Sequence, residues 1–395
     1  MKRVILVIIS LFLVTGCWSN REIDDSTLVH GVGIDKSNEK LRFSVEIINP
    51  GGENIGQEGG QNESKGAQSI VLEETSNTML EAARKLIKYT KRRLDFGHTE
   101  AWIISEKLAK EDFVRKLDLI RRDQMLRLNS HIFITVDNPL DILNTPTFYE
   151  ELVSLELASS LDQTQFFTKF TPITVREFYK FLEGPVSNTY IPMIYITEES
   201  NQKVTAIDGT AVINKNRMVG KLNPLETAGL NVLLNNIEGG SMEVSINEDE
   251  KEDEKVSLEV SNLTTKTTPK LAGNQLEVTI ETKVEGILAD NITSHKVNET
   301  FLKEIEKSIS KKVKHDVHST IQKLQELKTD ITEIGPKTHR KYPKQWQSIR
   351  EEWNDIFANA NVSIDVDTNI THQGLIDENI HRNNKPHNNP YRISK

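Results

Sequence analysis

The stretch LEVTIETKVEGIL, residues 276–288, decides the fold class of the second half of this chain. Its apolar side chains alternate with Glu, Thr and Lys, which is typical of a strand in an antiparallel sheet with one face open to water. In the following residues 297–327, apolar side chains recur every three or four positions from Phe301 to Leu324. This spacing predicts one long helix whose apolar side covers the sheet.

Further elements on either side of this pair complete a C-terminal domain in which one long helix covers a sheet. The patterns predict a strand at residues 256–260, a helix from Pro343 to about Phe357 with Trp346 and Trp353 spaced for burial, and a closing strand at residues 362–367.

The first half of the chain alternates strands with helices. Period-two alternation in residues 41–47 predicts a half-buried strand, and the capping-box pattern at Thr78 predicts a helix start. The predicted elements are strands at residues 28–35, 41–47, 101–104, 131–136 and 190–196, helices after Thr78 and at residues 107–121 and 174–182, a hairpin of residues 209–213 and 218–222, and a helix opening at Asn223-Pro224.

These patterns predict an α+β protein with mixed or antiparallel sheets and packed helices. The polar run 197–203 is the first plausible domain boundary. Gly- and Gln-rich residues 50–69 predict a mobile surface loop, with a ligand lid as the alternative. The predicted divisions are an N-terminal α+β domain at residues 25–200, a C-terminal region at 201–374 made of a hairpin-helix part (201–247) and a sheet with the long helix (256–374), and a disordered tail at 375–395.

The N-terminus, MKRVILVIISLFLVTGCWSNREI, has the form of a secretory signal peptide. Lys2 and Arg3 precede an apolar run over residues 4–14, which is shorter than the roughly 20 residues a spanning helix needs. We therefore expect residues 1–16 to be removed.

The order Val14-Thr15-Gly16-Cys17 resembles the bacterial lipobox, in which small residues precede a cysteine that is acylated before cleavage. Cys17 is the only cysteine of 395 residues, so it has no partner for an internal disulfide and lipidation accounts for it. The resemblance implies S-diacylglyceryl and N-acyl groups on Cys17 and a durable lipid anchor. The alternative is an ordinary signal sequence with a stray cysteine.

Residues 17–24 are then a short lipidated tether that keeps the first domain close to the bilayer. Trp18 has two open interpretations, a place in the membrane interface or packing on the folded body. The lipid is the only membrane attachment that the sequence predicts. The formal charge of −9 makes nucleic-acid binding improbable because phosphate backbones repel an acidic surface.

Four other features suggest sites, and each has a structural explanation that we favour. Gly31 and Gly33 lack the third glycine and the helix of a phosphate-binding loop, so they are interpreted as strand glycines. His98 has no nucleophile or metal partner in view and is interpreted as a structural residue. His315 and His318 lie three apart, but two ligands do not make a metal site, so they are interpreted as solvent-facing residues that flank Val317. The charge run at residues 248–255 is interpreted as a solvated turn rather than a cation site.

Cys17-Trp18 followed by Arg21-Glu22-Ile23 resembles the opening of the Ger(x)C family of spore germination lipoproteins, although that family usually has Asp where this chain has Ser19. Further similar segments are Gly97-His98, Trp102 to Ala109, Arg121 to Asp123, the hairpin and helix around Asn223, and, near the C-terminus, Tyr342 to Trp353, Val362 to Val366 and Ile370 to Gly374.

The resemblance implies the C subunit of a nutrient germinant receptor, lipid-anchored on the outer face of the spore inner membrane. Its implied partners are integral-membrane A and B subunits, with no catalysis. No catalytic, cofactor-binding or metal-ligating residue is predicted. Two alternatives share the anchor: a solute-binding lipoprotein of a transporter, which needs two similar α/β lobes, and an envelope hydrolase, which needs a cluster of acid, base or metal groups.

Overall fold

The computed structural model of the protein describes residues 26–49, 68–122, 126–161, 169–246, 255–293 and 295–372. These residues form two β-sheets with helices packed against them. The chain is therefore α+β with mixed and antiparallel pairing, as the sequence predicts.

The first sheet takes all the strands up to residue 222, in the order β3-β2-β1-β5-β6-β7-β8-β9, with β4 paired to β1. Its elements are β1 (Ser26–Ser37), β2 (Lys40–Asn49), β3 (Gln68–Ser76), α1 (Met79–Thr90), β4 (Arg93–Asp95), β5 (Ala101–Ser105), α2 (Glu106–Ala109), α3 (Phe113–Lys116), α4 (Asp118–Arg122), β6 (His131–Thr135), α5 (Pro139–Leu143), α6 (Val153–Leu161), α7 (Val175–Leu182), β7 (Asn188–Glu199), β8 (Gln202–Asn214) and β9 (Arg217–Leu222).

Both faces of the first sheet are covered by helices. Strands β1, β5, β6 and β7 run parallel at its centre, and the strands on either side are antiparallel hairpins. Trp102 and Ile104 of β5 pack with α1 to α4 in the larger core, whereas Ile103 packs with α5 and α6 in a separate cluster. Every residue of β5 is buried, because a parallel strand between two helical layers has no solvent face.

The second sheet has the order β10-β11-β12-β13 and alternates sharply between its faces. Its elements are α8 (Pro224–Leu234), β10 (Ser241–Ser245), β11 (Lys255–Ala272), β12 (Gln275–Asn291), α9 (Glu299–Glu326), α10 (Ile334–Lys341), α11 (Pro343–Ile349), a 3₁₀ turn (Arg350–Glu352), α12 (Trp353–Ala358) and β13 (Asn361–His372). Buried and exposed residues alternate along β12, and the buried row faces α9 and the two tryptophans Trp346 and Trp353. One long helix covers the sheet, as predicted.

Helix α8 joins the two sheets. Its start is a complete capping box, in which Asn223 and Glu226 exchange hydrogen bonds and Pro224 occupies the first turn. Thr320 of α9 donates a hydrogen bond to the Glu226 carbonyl at 2.7 Å. At Gly229 the two helices come so close that a Cβ atom would lie 2.2 Å from Thr320 Oγ1.

Several boundaries differ from the sequence patterns. The polar run 197–203 is the turn of the β7–β8 hairpin, with Ser200 and Asn201 at positive φ, so the first sheet continues across residue 200 and includes the hairpin 209–222. The predicted helix 107–121 is three short helices, α2 to α4. The predicted strand 256–260 extends to Ala272, because its Thr-rich continuation pairs with β12 along its whole length.

Several predictions fall outside the described residues. They are the signal peptide (1–16), the lipidated tether, the charge run up to residue 254, the C-terminal tail and most of the loop 50–69, whose last two residues begin β3.

Candidate functional site

An apolar pocket of about 350 Å³ lies beneath α1, on one face of the first sheet. We call it the α1 pocket. Its floor is aromatic, with the rings of Phe43 and Phe96 centred 6.2 Å apart and those of Phe96 and Trp102 stacked at 6.5 Å. The lining residues are Phe43, Met79, Leu80, Ala83, Arg84, Ile87, Arg93, Leu94, Phe96, Trp102, Leu119 and Leu126.

Hydrogen bonds fix the floor of the α1 pocket. The indole Nε1–H of Trp102 donates to Ser130 Oγ at 2.9 Å, and Ser130 Oγ donates to the Arg127 carbonyl at 2.5 Å. A buried indole nitrogen with a partner holds its ring in one orientation. The Trp102 ring of the floor is therefore held in one orientation on strand β5.

The mouth of the α1 pocket combines exposed apolar groups with two arginines. Leu80 is 45% exposed and Ile87 is 38% exposed, although both are large apolar side chains. Arg84 of α1 and Arg93 of β4 are the two charged lining residues, and neither has a carboxylate within 4 Å in the described part of the chain. By contrast, Lys85 and Lys88 of α1 each pair with a glutamate. The mouth therefore favours an apolar group that carries a negative charge.

A second, larger cleft of about 1130 Å³ runs between β10 and α9. We call it the basic cleft, because Lys307, Lys311, Lys312 and Lys314 line it together with three histidines. Glu304 and Glu243 lie at its edge, and Glu243 pairs with Lys255 at 2.8 Å. On a protein of formal charge −9 this cleft is a local positive site that suits anionic groups.

His315 and His318 lie in the basic cleft, on the exposed side of α9, as predicted. The third histidine of the cleft is His295, whose ring stacks on Phe301 at 5.1 Å. Over the described ranges, no three His, Cys, Asp or Glu side chains are placed to hold a metal ion.

His98 is exposed, and its ring centroid lies 6.1 Å from that of the half-buried His30. Burial lowers the pKa of His30, and the neighbouring His98 lowers it further, whereas Glu100 raises it. The backbone amide of Glu100, just before β5, donates to the carbonyl of His30 in β1 at 2.8 Å. This hydrogen bond extends the pairing of β1 with β5.

Gly31 and Gly33 lie in β1, where α5 and α6 pack directly on the strand. A Cβ at Gly31 would lie 2.8 Å from Glu46 Oε2, and one at Gly33 would lie 2.9 Å from Pro139 Cβ. These glycines permit close packing of helix on strand, as the interpretation of strand glycines predicts.

Two buried carboxylates were not identified from the sequence. Glu46 accepts hydrogen bonds from the Val153 and Ser154 amides, at 2.8 and 3.0 Å, at the start of α6. Burial raises the pKa of the Glu46 carboxyl, and these hydrogen bonds oppose the rise. A Glu between apolar positions of a strand would normally face water, and only the position of α6 brings it inside.

Asp330 is the second of these carboxylates. It accepts from the Thr332 amide at 2.9 Å, from the Gly335 amide at 2.5 Å and from the Trp353 indole at 3.3 Å. Burial raises the pKa of the Asp330 carboxyl, and the hydrogen bonds from these donors lower it in part. The only sequence signal is Thr two residues after Asp, which is typical of a local turn. Both carboxylates hold loops and helix starts in place.

The predicted lipid-attachment residue Cys17, the lipobox residues Val14, Thr15 and Gly16, and the signature residues Trp18, Arg21, Glu22 and Ile23 all lie outside the described residues. Within the described part of the chain, no helix combines the length and the apolar character needed to cross a membrane.

The fold is that of an α+β protein, and the α1 pocket and the basic cleft lie on separate sheets. Two family models match consecutive parts of the chain. "Spore germination protein N-terminal domain" matches residues 19–196, and "Spore germination B3/GerAC like, C-terminal" matches residues 208–374. The chain belongs to the Ger(x)C family of spore germination proteins.

Relatives match this chain over almost its whole length. Spore germination protein KC of Bacillus subtilis (strain 168) is 28% identical, over 94% of this chain and 95% of that protein. Spore germination protein B3 of the same organism is 23% identical, over 93% and 96% respectively. The crystal structure of the GerBC protein shares the fold, with a TM-score of 0.57 and 20% identity over 87% of this chain and 97% of that one.

Proposed function

We propose that this protein is the lipid-anchored C subunit of a nutrient germinant receptor, on the outer face of the spore inner membrane. In this role it acts without catalysis, by contact with integral-membrane A and B subunits. One observation carries the proposal: both family models match, in order, and the relatives named for spore germination match from end to end.

The lipid on Cys17 supplies the membrane attachment in this proposal. Two acyl chains bind a bilayer far more firmly than one, at about 0.8 kcal/mol per buried CH₂. The anchor confines an acidic, well-folded body beside its membrane partners. Confinement raises the effective concentration of the two surfaces, so a modest contact area is enough for assembly.

The direct test is Cys17→Ala in the sporulating organism, with Ser19→Ala as the matched control because Ser19 lies outside the lipobox. We expect the Cys17→Ala protein to be absent from the washed spore membrane fraction, and germination in response to nutrients to be impaired. Ser19→Ala should leave both unchanged. Membrane retention of Cys17→Ala at the wild-type level contradicts the anchor.

The partners are tested by purification from detergent-solubilised spore membranes through a tag at the C-terminus. We expect the polytopic A and B subunits to co-purify with the wild-type protein. The amount recovered with the Cys17→Ala protein should be smaller. A strain that lacks the gene for this protein and the genes for related receptors should fail to germinate in response to the nutrient that this receptor recognises. A normal response to every nutrient in that strain contradicts the germination role.

A further inference from the structure

We propose that residues 18–25 of this chain, WSNREIDD, dock in the α1 pocket and so hold the lipid anchor against the first sheet. This inference goes beyond the proposed function, since it concerns how the body is held at the membrane and not what the body signals. It selects one of the two interpretations of Trp18, packing on the folded body.

The α1 pocket has the properties of a site for large apolar side chains. Its volume of about 350 Å³ lies at the lower end of the range for ligand pockets, about 300–1,000 Å³. The aromatic floor of Phe43, Phe96 and Trp102 is fixed by packing, and Leu80 and Ile87 expose apolar surface at the mouth. The segment WSNREIDD offers Trp18 and Ile23 to this surface.

The chain leaves the described residues beside this pocket. Ser26, the first residue of β1, pairs with Arg93 of β4, and Thr27 pairs with Leu94. Arg93 and Leu94 both line the pocket. Because an extended chain spans at most about 3.3–3.6 Å per residue, Ile23 is within roughly 10 Å of Ser26 and Trp18 within roughly 29 Å.

The charges of the two partners are complementary. Arg84 and Arg93 have no carboxylate within 4 Å in the described ranges, and the segment carries Glu22, Asp24 and Asp25 against the single Arg21. Arginine pairs well with carboxylates because its planar guanidinium donates two parallel hydrogen bonds. Apolar and charged groups of the segment thus match those of the pocket mouth.

Trypsin provides the test, because Arg21–Glu22 is a tryptic bond inside the segment. The full-length protein in membranes is treated briefly with trypsin, and the new N-terminus at Glu22 is quantified by mass spectrometry. Cleavage of a transiently opened segment tracks the population of its open form when opening is fast. Docking therefore predicts slow cleavage in the wild-type protein.

Pocket variants should speed this cleavage, and variants at nearby exposed positions outside the pocket should not. We expect Ile87→Asp to raise the rate about tenfold, since losing burial of an apolar side chain costs roughly 1.5 kcal/mol or more. Arg84→Gln should raise it about two- to threefold, in line with an exposed ion pair. The matched controls Tyr89→Asp and Arg92→Gln, both at exposed sites outside the lining, should match the wild type.

Engineered cysteines give a second measurement that does not depend on protease access. Ile23→Cys combined with Ile87→Cys should form an intramolecular disulfide under mild oxidation, and Ile23→Cys combined with Tyr89→Cys should not. Lipidated Cys17 has no free thiol to compete. Peptide mapping identifies the bonded pair.

Three outcomes overturn the inference. Equal tryptic rates in all variants place the segment outside the pocket. Disulfides that join two chains, with a yield that falls when the protein is diluted before oxidation, show that a second copy occupies the pocket. Equal disulfide yields at positions 87 and 89 show that the segment does not select the pocket. None of these outcomes bears on the germination role, which is tested by co-purification and by spore response.

Discussion

The two sheets of this protein differ in how much of each is buried. The first sheet is a mixed sheet between two helical layers, so the short central strand β5 is buried throughout. The second is covered on one face, and along β12 every second residue is exposed. A central strand of the first sheet therefore depends on packing at every position, whereas a strand of the second depends on half of its positions.

The largest effect that follows from this difference is expected at β5. Ile103 and Ile104 are adjacent, fully buried and on opposite faces, in different clusters. Ile103→Ala and Ile104→Ala should each lower the free energy of unfolding by about 2–5 kcal/mol. Urea denaturation followed by circular dichroism measures both, and a small effect for either residue means that one face of the first sheet is open.

A smaller effect is expected from the buried carboxylate Glu46 of the first sheet. Glu46→Gln leaves one acceptor for the Val153 and Ser154 amides, so it should cost about 1–3 kcal/mol at acid pH.

The pH dependence of that cost follows from the raised pKa of the Glu46 carboxyl. Because the folded state holds the proton more tightly than the unfolded state, the group's contribution is complete below its ordinary pKa of 4.5 and is lost as pH rises through the folded value. The stability advantage of the wild type over Glu46→Gln should therefore shrink as pH rises above 4.5. Stability curves that stay parallel from pH 4 to pH 8 contradict this prediction.

The smallest effect is expected on the open face of the second sheet. Thr279→Ala, at an exposed position of β12, should change the free energy of unfolding by no more than about 0.5 kcal/mol. Its buried neighbour Ile280→Ala should cost about 2–5 kcal/mol. The same urea measurement gives both values, and a large cost at Thr279 would show that a further element covers this face.

The sequence predicted the elements whose own periodicity is strong. The alternation at residues 276–288 and the apolar spacing from Phe301 to Leu324 correspond to β12 and α9, because each pattern reflects burial on one side only. The glycines of β1 were also interpreted correctly as sites of close packing.

Other features depended on contacts that no local pattern records. The segment 107–121 has helical spacing, yet Lys110 to Asp112 interrupt it, and the Phe113 amide donates to the Asn216 carbonyl of the β8–β9 turn. The polar residues 197–203 have the composition of a linker, but they pair as a hairpin. Polar composition is typical of a turn and of a linker alike, so the sequence did not indicate the hairpin.

The two clefts were beyond prediction for the same reason. The α1 pocket joins residues from Phe43 to Leu126 across three strands, two helices and two loop positions. The basic cleft required α9 to face the edge strand β10, and the sequence placed His315 and His318 on the helix without indicating its neighbour.

The close contact at Gly229 has a mechanical consequence for the two sheets that α8 joins. The contact of α8 with Thr320 leaves no space for even a methyl group, and Asn235, the C-cap residue of α8, is tied to the Thr265 backbone of β11 by hydrogen bonds of 2.5 and 3.0 Å. Such a joint resists bending, because closely packed helices have no slack to absorb a rotation. We therefore expect the two sheets to keep a fixed spacing at this joint.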